Sequence, residues 1–236
     1  MLDLKPLREQ IYQYLRREMQ GGDLLPGSTI DMTRISRELG VSKTPLRDAL
    51  IRLEADGFVE ILPRRGVRVR VITFHDIRNI YEVVGSLETT VISSCLDRFN
   101  RKKLRAMKRI NGQYREAVMK GDAEGIYRTN LAFHDTFLQL SQNRELLSII
   151  APLKQRLYDF PRRAYLPEWE LRNAEEHERL MEAVESRDLE AVHRVWKDQH
   201  WSYAYQQSFI RRFYAMGIKE YEEDMANLEK RRKRGS

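Results

Sequence analysis

The chain has 236 residues, 33% of them charged, with a formal net charge of +7. This length fits two modest domains better than one, and the mixture of charge signs excludes a simple polycation while the positive balance favours an anionic partner. The single cysteine, Cys95, excludes an intrachain disulfide, and the chain shows neither a signal-peptide pattern nor a membrane-spanning apolar run, so we expect a cytoplasmic protein without membrane association.

The first elements are helices separated by glycines. Apolar residues at helical spacing predict one helix over residues 7–19 and a second over residues 32–39. Asp31 is the expected N-cap of the second helix, and Gly40 ends it because glycine adopts the left-handed conformation without a Cβ clash. Ser42 is placed to cap a third helix.

This third helix has two different faces. Its inward face carries apolar residues at helical spacing, namely Leu46, Leu50 and Leu53. Its outer face is polar and cationic, with Lys43, Thr44, Arg47 and Arg52. Two short helices joined by a tight glycine turn, the second with such an outer face, predict a helix-turn-helix.

A β-hairpin is predicted directly afterwards. Residues 58–62 alternate like a strand, residues 63–66 form a turn, and residues 67–71 place valine on one side and arginine on the other. A hairpin with a basic tip after a helix-turn-helix is typical of a wing. The whole series therefore favours DNA binding.

At these residues the chain resembles the N-terminal domain of GntR-family transcriptional regulators. The resemblance is carried by Leu25-Pro26-Gly27, by the segments 40–50 and 52–57, and by the turn 63–66. It implies a winged helix-turn-helix that binds a short inverted-repeat operator as a homodimer.

After residue 75, almost every periodic segment is helical. Six such helices can bury a sizeable core and leave room for a central cavity. The predicted helices cover residues 76–99, 102–119, 123–142, 145–160, 168–186 and 188 to about 216.

The predicted fold class is therefore mainly α. A winged helix-turn-helix of three helices and a β-hairpin is expected over residues 1–72, and an all-α helical-bundle effector domain over residues 73–219. Residues 220–236 form a charged tail, which is either solvated and disordered or adds salt-dependent attraction to phosphates.

The helical part also resembles a known family domain, the FCD effector domain of the FadR subfamily in its shorter, six-helix form. That domain dimerises and holds a small metabolite, usually with a carboxylate, often beside a divalent metal. The matching residues are Asp76-Ile77, Ile80–Val83, Leu87-Glu88, Phe133-His134, Ser141–Asn143, Glu176-His177, Ala183 and Arg187-Asp188.

In the family pattern, an Asp or Asn and three His hold the metal. Asn130, His134 and His177 fit, but the third His position falls on Gln199, and His200 lies one residue later. One residue is about 100° of helix, so His200 should face away unless a local bulge corrects it. The candidate ligands of one zinc or nickel ion are Asn130, His134, His177 and His200.

A second departure concerns the effector's charge. Val84 stands where many relatives carry an arginine that pairs with the effector's carboxylate, so another cation would be needed. Arg156, Arg162 and Arg163 are candidates, although surface roles fit them equally well. The predicted effector site contains Asn130, His134, Arg156, His177 and Gln199, and a polar pocket without metal stays open as an alternative.

At the DNA, the start of the third helix favours phosphates through its dipole, and Arg47 is placed to contact a guanine edge. The resemblance supports this role, because the matching arginine reads a guanine in the family's operators. By analogy, the second helix contacts phosphates and the wing tip lies along the minor groove or backbone. The residues expected at DNA are Arg34, Arg37, Ser42, Lys43, Thr44, Arg47, Arg64, Arg65 and Gly66.

The sequence thus predicts a ligand-responsive transcriptional regulator. We expect it to act as a repressor and not as an enzyme. One alternative is a metal-dependent hydrolase, prompted by His134-Asp135 and His177, but the chain lacks a second His-Asp pair and a phosphate-cradling glycine loop. Another is an architectural DNA-binding protein that responds to no effector. Whether ligand releases or tightens DNA stays open.

Overall fold

The computed structural model describes residues 6–158 and 166–215. The chain divides into two compact units: the first contains the residues up to Thr73 and a stretch that begins at Gln155, and the second contains Phe74–Lys154 and the described residues from Leu166 onward. The predicted helix end at residue 160, Arg162, Arg163 and the charged tail lie outside the described residues.

The first unit contains three helices and a small antiparallel sheet in the order β1-β3-β2, so the predicted winged helix-turn-helix is confirmed. A two-residue strand, which the sequence did not predict, pairs with the wing. The elements are α1 Leu7–Gly21, β1 Thr29–Ile30, α2 Met32–Leu39, α3 Lys43–Ala55, β2 Val59–Leu62 and β3 Gly66–Val69.

The helix-turn-helix follows its local sequence signals. Asp31 caps α2 by accepting hydrogen bonds from the backbone N–H groups of Thr33 and Arg34, both at 2.9 Å. Gly40 ends α2 at φ 64°, which costs glycine nothing. The inward face of α3 packs into the core of the unit with α1 and the sheet, since Leu46, Leu50 and Leu53 are completely buried.

The second unit is helical throughout apart from its connections, in agreement with the predicted mainly α class. No helix among the described residues has the length and apolarity needed to cross a membrane. The elements are α4 Phe74–Ser94, a 3-10 turn Leu96–Arg98, α5 Arg101–Lys120, α6 Ala123–Leu138, α7 Arg144–Tyr158, α8 Pro167–Glu185, α9 Leu189–Val192, a π-helix His193–His200, and α10 over residues 203–215.

Two predicted helices end early because polar side chains begin the next helix. α4 ends at Ser94 rather than at Phe99, and Asn100 then caps α5 by accepting from the N–H of Lys103. α6 ends at Leu138 rather than at residue 142, since Asn143 accepts from the N–H of Leu146 at the start of α7. Asparagine side chains compete with the helix for backbone groups in this way.

The prediction of one continuous last helix is wrong. After α9 the backbone widens into a π-helix, and the N–H of Trp201 donates to the carbonyl of Trp196, five residues earlier, at 3.0 Å. Helical structure stops at Trp201 and Ser202 before α10 begins. A π-helix accommodates more residues per turn than an α-helix, so it changes which side chains face the core.

Candidate DNA-binding surface and metal centre

The N-terminal end of α3 forms an exposed cationic surface in the first unit. Lys43, Thr44 and Arg47 are all exposed. Ser42 occupies the N-cap position, but its side chain makes no capping hydrogen bond. A helix N-terminus with backbone N–H groups and cations at its first turn attracts phosphate.

The two arginines predicted on the preceding helix are exposed as well. Arg34 lies 3.7 Å from Glu38, one helical turn later, in an ion pair whose side chains are both about half exposed. Such a surface pair contributes little to stability and leaves the guanidinium available to a phosphate. Arg37 lies in the last turn of α2.

The wing tip places an arginine in a conformation that glycine prefers. The N–H of Arg65 donates to the carbonyl of Leu62 at 3.0 Å, which closes a turn over Pro63 and Arg64. Arg64 has φ 61°, in the left-handed region, and Gly66 has φ 95°. A non-glycine residue there costs on the order of 1 kcal/mol, so the tip keeps its guanidinium despite local strain.

The arginine face of the wing is less cationic than the sequence suggested. Val67 and Val69 point into the core as predicted, and Arg68 is exposed on the opposite side. However, Arg68 faces Glu60 across the strands, and its guanidinium lies 2.8 Å from that carboxylate. The positive charge of the wing that has no acidic partner among the described residues therefore lies at Arg64 and Arg65 in the tip and at the exposed Arg70.

Three histidines meet inside the second unit. His134 comes from α6, His177 from α8 and His200 from the end of the π-helix, and we call them the histidine triad. Their ring centroids are 5.3 to 5.6 Å apart, close to an equilateral triangle. One potential ligand atom from each residue lies within 4.8 Å of the others, and all three residues are buried.

Two buried carboxylates orient two of these rings. Nδ1 of His134 lies 2.9 Å from an oxygen of Glu88, and Nδ1 of His200 lies 2.9 Å from an oxygen of Glu176. An ionised carboxylate only accepts hydrogen bonds, so each Nδ1 must carry the proton. The Nε2 atom of each ring is then the one with a lone pair to offer.

An amide orients the third ring in the same way. Asn111 donates from Nδ2 to the carbonyl of Ala174 at 3.0 Å, which fixes which end of its amide is oxygen. That oxygen lies 3.0 Å from Nδ1 of His177 and accepts its proton. Metal-binding histidines regularly have a hydrogen-bond partner of this kind at the ring nitrogen that does not bind the metal, because the partner fixes both tautomer and ring orientation.

The free nitrogens fit a metal ion. Nε2 of His134 and Nε2 of His177 are buried and have no hydrogen-bond partner in the described part of the chain. Burial lowers the pKa of His134 to about 3 and the pKa of His177 well below its ordinary value of 6.5. Both rings are therefore neutral near pH 7, which is the state a metal requires. The triad could hold a metal ion.

Glu88 connects the triad to two tryptophans and a lysine. Its carboxylate accepts from Nζ of Lys154 at 2.7 Å and from the indole N–H groups of Trp196 and Trp201 at 3.0 and 2.8 Å. Burial alone would raise the pKa of Glu88, but the positive charge of Lys154 and the hydrogen bonds from Lys154 and His134 outweigh it and hold the pKa low. Glu88 thus stays ionised although it is fully buried.

A glycine on α4, the helix that carries Glu88, leaves room for one of these tryptophans. A Cβ built on Gly85 would lie 2.6 Å from the Cβ of Trp201, closer than real side chains approach. Any larger residue at position 85 would displace Trp201 and its hydrogen bond to Glu88. The sequence offers no sign of this requirement.

The π-helix explains why His200 faces the other two histidines. Regular α-helical geometry would turn His200 about 100° away from the family's third position, which the sequence assigns to Gln199. The π-helix instead brings His200 to the other two rings, where it also stacks on Trp196 at 4.1 Å. Gln199 is half-buried with an enclosed side-chain oxygen.

The other predicted site residues are placed as follows. Asn130 lies one turn before His134 on α6, and its side-chain oxygen is buried. Val84 is fully buried in α4. Arg156 is half-buried near the end of α7, in the stretch that belongs to the first unit. Its role toward an effector stays a prediction.

Sequence reasoning missed Glu88, Lys154, Glu176 and Asn111, and a signal for two of them exists. Glu88 continues the apolar stripe of α4 four residues after Val84, and Lys154 continues that of α7 four residues after Ile150. A charged residue at an inward position of a helical stripe indicates a buried partner or a site. The carboxylate and the ammonium prove to be partners of each other.

Comparison with known families agrees with both units. Residues 7–69 match the family described as bacterial regulatory proteins, gntR family. Residues 79–200 match the FCD domain, and this match ends at the third histidine of the triad. The second match alone covers more than half of the chain.

Similar proteins are named as HTH-type transcriptional regulators. The chain is 26% identical over 190 residues to the HTH-type transcriptional regulator YdhC of Bacillus subtilis, covering 79% of this chain and 84% of that one. It is 25% identical over 198 residues to the HTH-type transcriptional repressor RspR of Escherichia coli, covering 81% and 84%. The solved structure of E. coli McbR/YncC shares the fold, with a TM-score of 0.70 and 22% identity over 90% of this chain and 99% of that one. The protein is a transcriptional regulator of the GntR family with a C-terminal FCD domain.

Proposed function

We propose that this protein is a cytoplasmic transcriptional repressor that binds an inverted-repeat operator as a homodimer and responds to a carboxylate metabolite. The observation that carries the ligand-responsive part is the orientation of the histidine triad, in which each Nδ1 is engaged and each Nε2 is left to a ligand. The relative RspR is named a repressor, which supports repression rather than activation of transcription.

In the DNA-binding unit, the exposed cations divide by task. Arg47, one turn into α3, contacts a guanine edge in the major groove. Ser42, Lys43 and Thr44 bind phosphate at the helix N-terminus. The guanidinium of Arg64 enters the minor groove. Arg34, Arg37, Arg65 and Gly66 complete the contacts to the backbone.

In the FCD domain, the triad and Asn130 hold a divalent ion such as zinc or nickel, since imidazole nitrogens suit both. When bound, the ion supplies a Lewis-acid centre for a carboxylate oxygen of the metabolite. The protein's own part is to keep the rings neutral and oriented, through Glu88, Glu176 and Asn111.

An effector changes DNA affinity only if it favours one of two arrangements of the protein. Glu88 links His134 to α4, and α4 begins at Phe74, directly after the DNA-binding unit along the chain. A ligand that shifts His134 therefore acts on the helix that leads to the DNA-binding unit.

The test begins with selection from a random duplex library. We expect enrichment of an inverted repeat bound by two copies of the chain. Affinity for that duplex should then change at least tenfold, about 1.4 kcal/mol, when zinc chloride and a panel of mono-, di- and hydroxycarboxylates are added. Enrichment of no sequence would refute operator binding. An equal response in His134→Ala would refute the role of the triad.

A further inference from the structure

A stretch at the start of α5 has a charge pattern that the function above does not use. From Arg98 to Arg115 the chain contains eight cations and not one acid. Lys108 and Arg115 lie within 3.0 Å of Glu185 and Glu178 on α8, and Arg98 donates to the carbonyl of Leu140. The remaining cations of the stretch have no ion pair within the described residues.

Four of these cations share the outer side of the helix. We call Arg101, Lys102, Arg105 and Arg109 the α5 basic face; all four are exposed. The opposite side of α5 packs inward through Leu104, Met107 and Tyr114. The four cations therefore present one positive surface to solvent, with no acid of their own helix among them.

The position of this face runs against helix electrostatics. Cations in a first turn are repelled by the partial positive charge of the helix N-terminus. The helices α4, α6, α7 and α8 of the same unit carry acids in their first turns, whereas α5 carries none. The arrangement lowers the stability of the helix, and an anion bound at this face would offset that cost.

The spacing of the face fits a nucleic-acid backbone. From Arg101 to Arg109 the helix rises about 12 Å at 1.5 Å per residue. One strand of duplex DNA carries a charge roughly every 3.4 Å along its axis, so this length meets three to four phosphates. Duplex DNA therefore has a charge spacing that suits this face, and it is the polyanion that the winged helix-turn-helix implies as a partner.

We propose that the α5 basic face binds the phosphate backbone of duplex DNA that flanks the operator. This inference rests on the proposed operator binding and adds a second, sequence-independent contact from the FCD domain. Flanking DNA then increases affinity in a salt-dependent manner, because each neutralised phosphate releases counterions.

The experiment compares two duplexes that carry the selected operator, one without flanks and one with about 20 base pairs on each side, a length well beyond the site itself. Affinities are measured over a range of salt concentrations for the full-length protein. The test variant is Arg101→Gln/Lys102→Gln/Arg105→Gln/Arg109→Gln. The control variant removes the same charge at exposed, ion-paired cations, as Lys108→Gln/Lys120→Gln/Arg194→Gln/Arg212→Gln.

We expect the salt slope of wild-type protein to be steeper on the flanked duplex by about 3 to 4 units for each bound copy of the chain, and so by about 5 to 7 units for the dimer, at 0.9 per contact. The test variant should lose this difference and keep its affinity for the short duplex, while the control variant keeps both. Circular dichroism checks that the variants fold.

Equal slopes on both duplexes for wild-type protein would overturn the proposal, as would equal losses in the test and control variants. A change of self-association in the test variant alone, seen by sedimentation, would assign the face to the acidic surface of a second copy instead. If wild-type protein prefers no sequence, the proposed function fails. The same two variants on a random flanked duplex then still decide whether the face binds DNA.

Discussion

Arg47 is the residue that we expect to contact a base most directly. It is exposed one turn into α3, beyond the first turn that we propose for phosphate binding. We predict that Arg47→Ala weakens operator binding by about 1–3 kcal/mol and relaxes preference at one base pair of each half-site. Binding to a set of single-base operator variants measures both effects.

Lys43→Ala is the matched comparison, because Lys43 lies on the same exposed side but is expected at a phosphate. It should weaken all operator variants about equally and lower the salt slope by roughly one unit for each bound copy of the chain. If Arg47→Ala behaved in the same uniform way, the assignment of base recognition to Arg47 would be wrong.

Glu88 and Lys154 form a buried ion pair whose members need each other. Glu88→Gln removes the carboxylate that the ammonium of Lys154 binds at 2.7 Å, and removing one partner of a buried pair costs about 3–5 kcal/mol. The double variant Glu88→Gln/Lys154→Met should regain most of this loss in the free energy of unfolding, measured with urea. A double variant as unstable as the sum of the two single variants would contradict the pairing.

The element that decides the site is the π-helix His193–His200. The sequence places the third family position at Gln199, and His200 reaches the triad only because the widened helix absorbs one extra residue. If so, deleting the exposed residue Asp198 should restore an α-helix and keep His200 in the site. Zinc affinity should stay within about tenfold of wild type, a range of 1.4 kcal/mol.

An exchange of two neighbouring residues, which leaves the composition unchanged, tests the same element with the opposite expected result, a loss of zinc affinity. Gln199→His/His200→Gln contains the same residues but removes the third ring from the triad. We expect it to lose at least tenfold in zinc affinity, as loss of even a supporting group does. Quenching or shift of the fluorescence of Trp196, which stacks on His200, provides a local signal. Tighter zinc binding by the exchanged protein would show that Gln199 occupies the site.

Helices, turns and strands were predictable where a few neighbouring residues determine them. Asp31, Gly40 and the alternation of Val67 and Val69 determine caps, turns and strand faces over a few residues, and the structure follows them. The π-helix was not predictable, because the contacts made there join distant elements: the indole groups of Trp196 and Trp201 donate to Glu88 on α4. Two neighbouring residues, Gln199 and His200, offered the only hint of it.

For the whole molecule, burial of neutral histidines makes stability depend on pH. The pKa values of His134 and His177 are lowered in the folded protein, so below pH 6.5 the unfolded chain binds protons that the folded protein excludes. The unfolding free energy of metal-free protein is therefore fully retained above pH 6.5 and falls as pH decreases. Between pH 7 and 5 the loss is about 2 kcal/mol for His134, whose pKa is about 3 in the folded protein, and His177 adds a loss of the same sign.

Urea unfolding in the presence of a chelator measures this loss. His134→Gln/His177→Gln should show a shallower dependence over the same range, because neither glutamine titrates. Equal pH dependence in wild type and double variant would mean that the rings are protonated, or open to water, in the folded protein.

The mainly α fold, with a winged helix-turn-helix followed by a helical domain, was predictable from motif order and helical periodicity. The family resemblance also led us to expect His134 and His177 close together, as they are in the structure. The supporting shell was not, since Glu88, Glu176 and Asn111 lie on helices that only the fold brings together. Val84 stands where many relatives carry an arginine that pairs with the carboxylate of the effector. The structure contains a buried lysine, Lys154, but its ammonium is hydrogen-bonded to Glu88.

The central claim is that the histidine triad holds a metal through which the effector acts. Elemental analysis by mass spectrometry, on protein purified without added metal or chelator, tests it most directly. We predict close to one zinc or nickel ion per chain in the wild type, and loss of that ion in His134→Ala and in His200→Gln. A metal-free wild type, or a metal content unchanged by both substitutions, would contradict the account.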